Sequence, residues 1–175
     1  NLKLDHNNNK FNKNYLVVPE GIETIKFFKF ILKCAKIYKN NKFIFKIHPE
    51  VSKDIIVYLS NQIKKQDIKN IKVSTSVINI LDEMKYSSYI IYRGSAAVFQ
   101  GCLNGLLPIY YNANEQIDIN PLYKFLDNKL IINEPDDLKV FNNNELLNKT
   151  DYYFSISKDY FEKINPKIIK NLLIK

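Results

Sequence analysis

The chain has 175 residues, a length that fits one domain with a proper hydrophobic core. Hydrophobic residues make up 46% of it, as in globular proteins, and no apolar run is long enough to span a membrane. The net charge of +8 comes from lysines spread along the whole chain without a dense basic block, which argues against specific nucleic-acid binding.

Predicted strands and helices alternate along the chain. The asparagine-rich residues 1–14 are predicted to be a leader or an interdomain linker, and 151–175 a C-terminal helical extension that packs on the domain. Between them, residues 15–150 are predicted to form an α/β domain, a Rossmann-like doubly wound parallel sheet of about six strands with helices on both faces. Strands are predicted at 15–18, 42–47, 71–74, 89–92, 107–111 and 129–132, and helices at 22–39, 50–65, 79–86 and after residue 95.

The turn Arg93-Gly94-Ser95 lies between the fourth predicted strand and a helix. Gly94 can take a positive φ, and Ser95 can cap the helix, whose first N–H groups would then face an anion such as phosphate. Arg93 is the only arginine of the chain, and a guanidinium suits bidentate recognition of an oxyanion. The alternative is a surface arginine on an ordinary turn.

Two further turns follow the first and second strands. Gly21 would let a ligand approach a helix N-terminus. It is a single glycine, and the missing G-x-G-x-x-G fingerprint argues against a typical NAD-binding domain. His48, followed by Pro49, could donate a hydrogen bond to a phosphate or ribose oxygen, or could be a structural histidine. Because the carboxyl ends of parallel strands share one edge of a sheet, these turns are predicted to meet at one crevice.

The remaining candidates carry weaker signals. Asp118 lies in a polar loop after the fifth strand, where it could close over a ligand or cap a turn. Asp82 and Glu83, on the third helix, are interpreted as a solvated face or a helix-end interaction. The cysteines Cys34 and Cys102 are predicted to be buried free thiols, and no Cys/His cluster has the spacing of a metal site, so no metal is predicted.

Three short motifs in this order resemble the C-terminal, nucleotide-sugar-binding half of GT-B glycosyltransferases. The resemblance covers about residues 15–135 and is strongest to the bacterial surface and capsular polysaccharide branch, which includes sialyltransferase-like and Kdo-transferase-like enzymes. The motifs are Phe45-Lys46-Ile47-His48-Pro49, Tyr92-Arg93-Gly94-Ser95-Ala96 and Gly105-Leu106-Leu107-Pro108-Ile109-Tyr110.

The resemblance implies a metal-independent transferase that holds a CMP- or UDP-linked sugar by its phosphates and needs no cofactor. His48 would contact the donor and stabilise the departing phosphate. Asp118 is added to the expected donor-binding residues because of its place in the loop after the fifth strand. The other expected donor-binding residues are Glu20, Gly21, Pro49, Arg93, Gly94, Ser95 and Ala96. The family often has paired Ser or Thr in the phosphate turn, whereas Ala96 and Ala97 follow Ser95 here, and Arg93 would replace part of that anion binding.

The resemblance also implies a separate N-terminal domain for a saccharide or glycolipid acceptor. Without it, the chain is expected to bind nucleotide weakly and to catalyse nothing, and its expected location is the cytoplasm, including the periphery of the inner membrane. Three alternatives stay open: a UDP-sugar 2-epimerase-like domain, a noncatalytic nucleotide-sensing or assembly module, and a lysine-rich nucleic-acid binder.

Overall fold

The computed structural model describes residues 14–160 except 76, 114–116, 125–129, 143–145 and 147–148. The predicted leader, apart from Asn14, and the chain beyond Tyr160 lie outside the described residues. The described strands form one parallel sheet of six strands in the order β3-β2-β1-β4-β5-β6, which confirms the predicted Rossmann-like class. The strands are β1 (Asn14–Val18), β2 (Lys42–Lys46), β3 (Ile71–Ser74), β4 (Tyr89–Tyr92), β5 (Leu107–Tyr111) and β6 (Ile131–Ile132).

Helices connect these strands, as the alternating pattern predicts. The helices are α1 (Thr24–Ile37), α2 (Lys53–Lys65), α3 (Ile80–Met84), α4 (Ala97–Leu103) and α5 (Lys149–Tyr160), with a 3-10 helix at Pro135–Asn142. Helix α5 packs on α4 and β5, and the ring of Tyr160 stacks on Phe99 at 4.0 Å between centroids. The turns that follow β1, β2 and β4 therefore belong to a sheet on which helices pack.

The second helix begins three residues later than predicted, because a turn precedes it. The N–H of Val51 donates to the carbonyl of His48 at 3.0 Å, and the hydroxyl of Ser52 accepts from the N–H of Ile55 at 3.5 Å as the helix cap. Pro49 therefore belongs to a turn instead of the first turn of a helix. This turn keeps His48 next to the end of β2.

The core lies along the central strands. All residues of β4 are buried, and Tyr15 at the start of β1 is stacked between Phe43 and Tyr89 at centroid distances of 5.0 and 4.9 Å. Both cysteines are free and buried, which confirms their prediction as small apolar side chains. Among the described residues, no helix is both long and apolar enough to cross a membrane.

Candidate functional site

The candidate site lies where the order of the sheet reverses. The chain leaves β1 toward β2 on one side, and it leaves β4 toward β5 on the other, so a crevice opens at the carboxyl ends of these two strands. Since β2, β1 and β4 are neighbours, the turns that contain His48, Gly21 and Ser95 lie side by side at one edge of the sheet.

A cleft of about 570 Å³ occupies this edge. It is formed by the ends of β1 and β2, the segment before α3 and the first turn of α4. Its lining residues are Val18, Pro19, Lys46, Ile47, His48, Pro49, Ile78, Asn79, Ile80, Ser95, Ala96, Ala97 and Gln100. The cleft thus brings the His48-Pro49 turn and the Ser95-Ala96 turn together although they are far apart in the sequence.

Gly21 lies close to the ring of His48. Gly21 has a φ of +101°, and a Cβ built on it would lie 3.2 Å from both Cγ and Nδ1 of the His48 ring. A side chain at position 21 would therefore strain the backbone and push against the imidazole. Gly21 shapes the site by supporting one face of His48 and does not itself line the cleft.

A backbone contact sets the orientation of the His48 ring. Its Nδ1 accepts a hydrogen bond from the N–H of Glu50 at 3.4 Å. In the neutral imidazole this places the proton on Nε2, because one ring nitrogen accepts and the other donates. His48 can therefore present an N–H donor to an oxygen atom in the cleft.

The second wall of the cleft begins at Gly94, whose φ of +68° confirms the predicted left-handed turn. The hydroxyl of Ser95 accepts from the N–H of Ala97 at 3.4 Å, but the N-cap of α4 is Ala96, which makes no side-chain cap hydrogen bond, so Ser95 is not the cap that the sequence predicts. Ser95 and Ala96 both line the cleft, and Gln100, one helical turn further on, adds an amide to the same wall. The wall offers a hydroxyl and a side-chain amide to a ligand.

Arg93 is directed to a protein partner. Its guanidinium forms a short ion pair with Glu20, and the side chains of Arg93 and Glu20 are only 6% and 8% exposed. Neither residue is among those that line the cleft. The pair joins the loop after β1 to the end of β4, so Arg93 contributes a structural contact next to the site.

Asp118 belongs to a capped turn. Its Oδ1 accepts from the N–H of Asn120 at 2.9 Å, its side chain is exposed, and it does not line the cleft. Burial, followed by the nearby Asp118 carboxylate, raises the pKa of Tyr110 to about 12. Among the described residues of this loop, Asn120 is buried and accepts from the Tyr92 hydroxyl at 2.9 Å.

Sequence reasoning missed Lys46, a buried cation of the cleft. Its Nζ donates to the carbonyls of Thr75, at 2.8 Å, and Ile78, and lies 3.3 Å from Oε2 of Glu83. Glu83 is only 6% exposed, which corrects its interpretation as part of a solvated face, while Asp82 is exposed as expected. The available signal was its place in the chain, since Lys46 ends β2 and precedes His48 by two positions.

The chain matches no protein-family model and no curated protein. It is similar to solved structures of the GtfA/B complex (TM-score 0.61, 7% identity) and TarM (TM-score 0.57, 11% identity). It is also similar to UDP-GlcNAc 2-epimerase from Neisseria meningitidis bound to UDP-GlcNAc (TM-score 0.51, 16% identity). These matches cover 87%, 95% and 95% of this chain and 34%, 35% and 45% of the respective structures.

These similarities show a GT-B-like fold, in which this chain has the architecture of one Rossmann-like domain. At such low identities they show the fold alone. The chain spans between a third and a half of the length of the structures that it matches.

Proposed function

We propose that this chain is the donor-binding domain of a metal-independent glycosyltransferase and holds a nucleotide-sugar by its phosphates. The observation that carries the proposal is the single cleft of about 570 Å³ that both His48 and the Ser95-Ala96 turn line at the switch point of the sheet. Ligands of open α/β sheets gather at this place, and a volume of this size suits a nucleotide.

The chemistry of the lining supports a phosphate ligand. Nε2 of His48 is free to donate on one side, and the hydroxyl and backbone of Ser95 and Ala96 stand on the other. Together they would stabilise the negative charge that develops on the leaving phosphate oxygen as the bond to the sugar's anomeric carbon breaks. The acceptor hydroxyl would attack that carbon and lose its proton to a base outside this chain.

The wider assignment follows the sequence motifs. We propose a CMP- or UDP-linked donor, a saccharide or glycolipid acceptor bound by a further domain, and a place in bacterial surface polysaccharide synthesis. The motif around His48 and that around Ser95 support this branch. The enzyme would work in the cytoplasm or at the periphery of the inner membrane.

A second candidate is a domain like that of a UDP-sugar 2-epimerase. It is favoured by the solved epimerase, which covers 95% of this chain with 16% identity, the highest identity of the three structures compared. Product analysis with UDP-N-acetylglucosamine separates the two, since an epimerase changes the sugar of its nucleotide without an acceptor.

Calorimetric titration with CMP and UDP tests the proposal. His48→Ala and Ser95→Ala are each expected to weaken binding about tenfold, the effect of one lost hydrogen bond to a charged group. Ser155→Ala is the matched control, because Ser155 is exposed on α5 and outside the cleft. Failure of both nucleotides to bind the wild-type chain, or equal losses in Ser155→Ala and Ser95→Ala, would contradict the proposal.

A further inference from the structure

The buried pair of Lys46 and Glu83 connects two walls of the cleft. Lys46 ends β2, two residues before His48, whereas Glu83 lies on α3, which follows the neighbouring strand β3. The side chains are 10% and 8% exposed, and Nζ of Lys46 lies 3.3 Å from Oε2 of Glu83. Removing one member of a buried ion pair is costly, because it leaves the charge of the other uncompensated.

The same ammonium group also fixes the chain between β3 and α3. It donates to the carbonyl of Thr75 at 2.8 Å and to that of Ile78. Ile78 is the first residue of the cleft wall Ile78-Asn79-Ile80, and Thr75 directly follows β3. The side chain of Lys46 thus contacts the wall itself at Ile78, the residue Thr75 before it and the residue Glu83 after it, and ties them to the end of β2.

The charge of Lys46 is already used within the protein. An ammonium group has three donors, and here two carbonyls and one carboxylate surround it. Ile78 and Ile80 give the wall that it holds an apolar surface of the kind on which a planar base packs. The position of the wall would thus decide how well the nucleoside part of a ligand fits, while the phosphate would bind at the Ser95-Ala96 turn.

We propose that Lys46 and Glu83 are positioning residues that fix the wall Ile78-Asn79-Ile80 at the separation from His48 that fits a nucleoside. This rests on the proposed function, since it assigns the nucleoside side of the same cleft. It assigns Lys46 no direct contact with the phosphate. Loss of either partner loosens the wall and weakens binding of the nucleoside more than binding of phosphate.

The test compares Lys46→Met and Glu83→Gln with Lys85→Met. Methionine has the length of the lysine stem and suits a buried site, and Lys85 supplies a matched control because its pair with Asp82, on the same helix as Glu83, is exposed. Dissociation constants for CMP, UMP and inorganic pyrophosphate are measured on the folded proteins. Amide exchange at Ile78 is measured without ligand, because its N–H is bonded to the carbonyl of Thr75 at 3.2 Å.

Both Lys46→Met and Glu83→Gln are expected to weaken CMP or UMP binding about tenfold, to change pyrophosphate binding less than about twofold, and to speed exchange at Ile78. A purely structural role would lower the affinities for all three ligands together. Tighter pyrophosphate binding in Glu83→Gln would show that Lys46 contacts phosphate directly and would overturn the proposal. If the wild-type chain binds no nucleotide, the proposed function fails. The exchange at Ile78 still tests the positioning role of Lys46, and an unchanged exchange rate in Lys46→Met would reject that role.

Discussion

The guanidinium of Arg93 and the carboxylate of Glu20 form a buried ion pair across the two strands that flank the switch point of the sheet. Arg93 follows β4, and Glu20 follows β1. Gly94, next to Arg93, has its backbone so close to this pair that an added Cβ would lie 3.1 Å from Cβ of Glu20. The pair therefore ties together the loops from which both walls of the cleft rise.

Replacing one member of this pair is expected to destabilise the fold strongly. Arg93→Met leaves the Glu20 carboxylate buried without its partner, and such a change costs about 3–5 kcal/mol of the free energy of unfolding. Urea denaturation measures the loss. Lys139→Met is the control, because its pair with Asp136 is 69% exposed on both sides and should contribute at most about 1 kcal/mol. Similar small losses in both variants would show that the Arg93 pair is not structural.

A second variant at this position, Arg93→Ala, tests the anion-binding role predicted for Arg93. Calorimetry with CMP or UDP on folded Arg93→Ala separates the two roles. If Arg93 acts only through Glu20, the free energy of unfolding should fall while the affinity for CMP or UDP stays nearly unchanged. A loss of about tenfold or more in affinity without a loss of stability would instead mark direct anion binding.

Gly21→Ala should lower both stability and nucleotide affinity. The left-handed backbone costs an alanine about 1–2 kcal/mol, and the new methyl group would meet the His48 ring at 3.2 Å. Gly105→Ala carries the same kind of strain, at a φ of +78° beyond the end of α4, away from His48. Only Gly21→Ala should weaken nucleotide binding, and equal affinities in the two variants would show that Gly21 does not support His48.

Two buried tyrosines should respond in opposite ways to loss of the hydroxyl. The hydroxyl of Tyr15 has no hydrogen-bond partner among the described residues, whereas that of Tyr92 donates to Asn120 at 2.9 Å. Tyr15→Phe should leave the free energy of unfolding unchanged or raise it, and Tyr92→Phe should lower it by about 1 kcal/mol. Thermal denaturation of both variants checks this contrast, and a clear loss in Tyr15→Phe would contradict it.

Stability should fall on the alkaline side. Burial raises the pKa of Tyr110 to about 12, and it raises the pKa of Tyr92 as well. Below pH about 10, both the folded and the unfolded chain keep these protons, so the full stability is present. Above it, the unfolded chain ionises first, and each such tyrosine lowers the free energy of unfolding by up to about 1.4 kcal/mol per pH unit until its folded pKa is reached. Urea denaturation between pH about 8 and about 11 should show this slope, and Tyr110→Phe should reduce it.

Most of the fold follows from local sequence patterns. The strands at 71–74, 89–92 and 107–111 match their predicted bounds, because short β-rich runs between turn residues have few alternatives. Helix ends are less certain, as α2 shows: the proline at position 49 fits the first turn of a helix, but Ser52 provides the side-chain cap.

The site was predictable only in part. The turns at His48 and Ser95 could be found because glycine, proline and a strand end mark them. The partner of a buried charge leaves no such local mark, because Glu83 lies 37 positions after Lys46 in the sequence and Glu20 lies 73 positions before Arg93. Which carboxylate meets which cation depends on the order of the strands and on packing.

We expect a nucleotide's phosphate to bind between His48 and the Ser95 turn. The most direct measurement is a titration of the labelled chain with CMP and UDP, followed by NMR of the backbone amides and the His48 ring. Saturable shifts should be largest at the amides of Ser95, Ala96 and Ala97 and at Nε2 of His48. Shifts confined to the exposed lysines of α1, or no saturable shift at all, would contradict it.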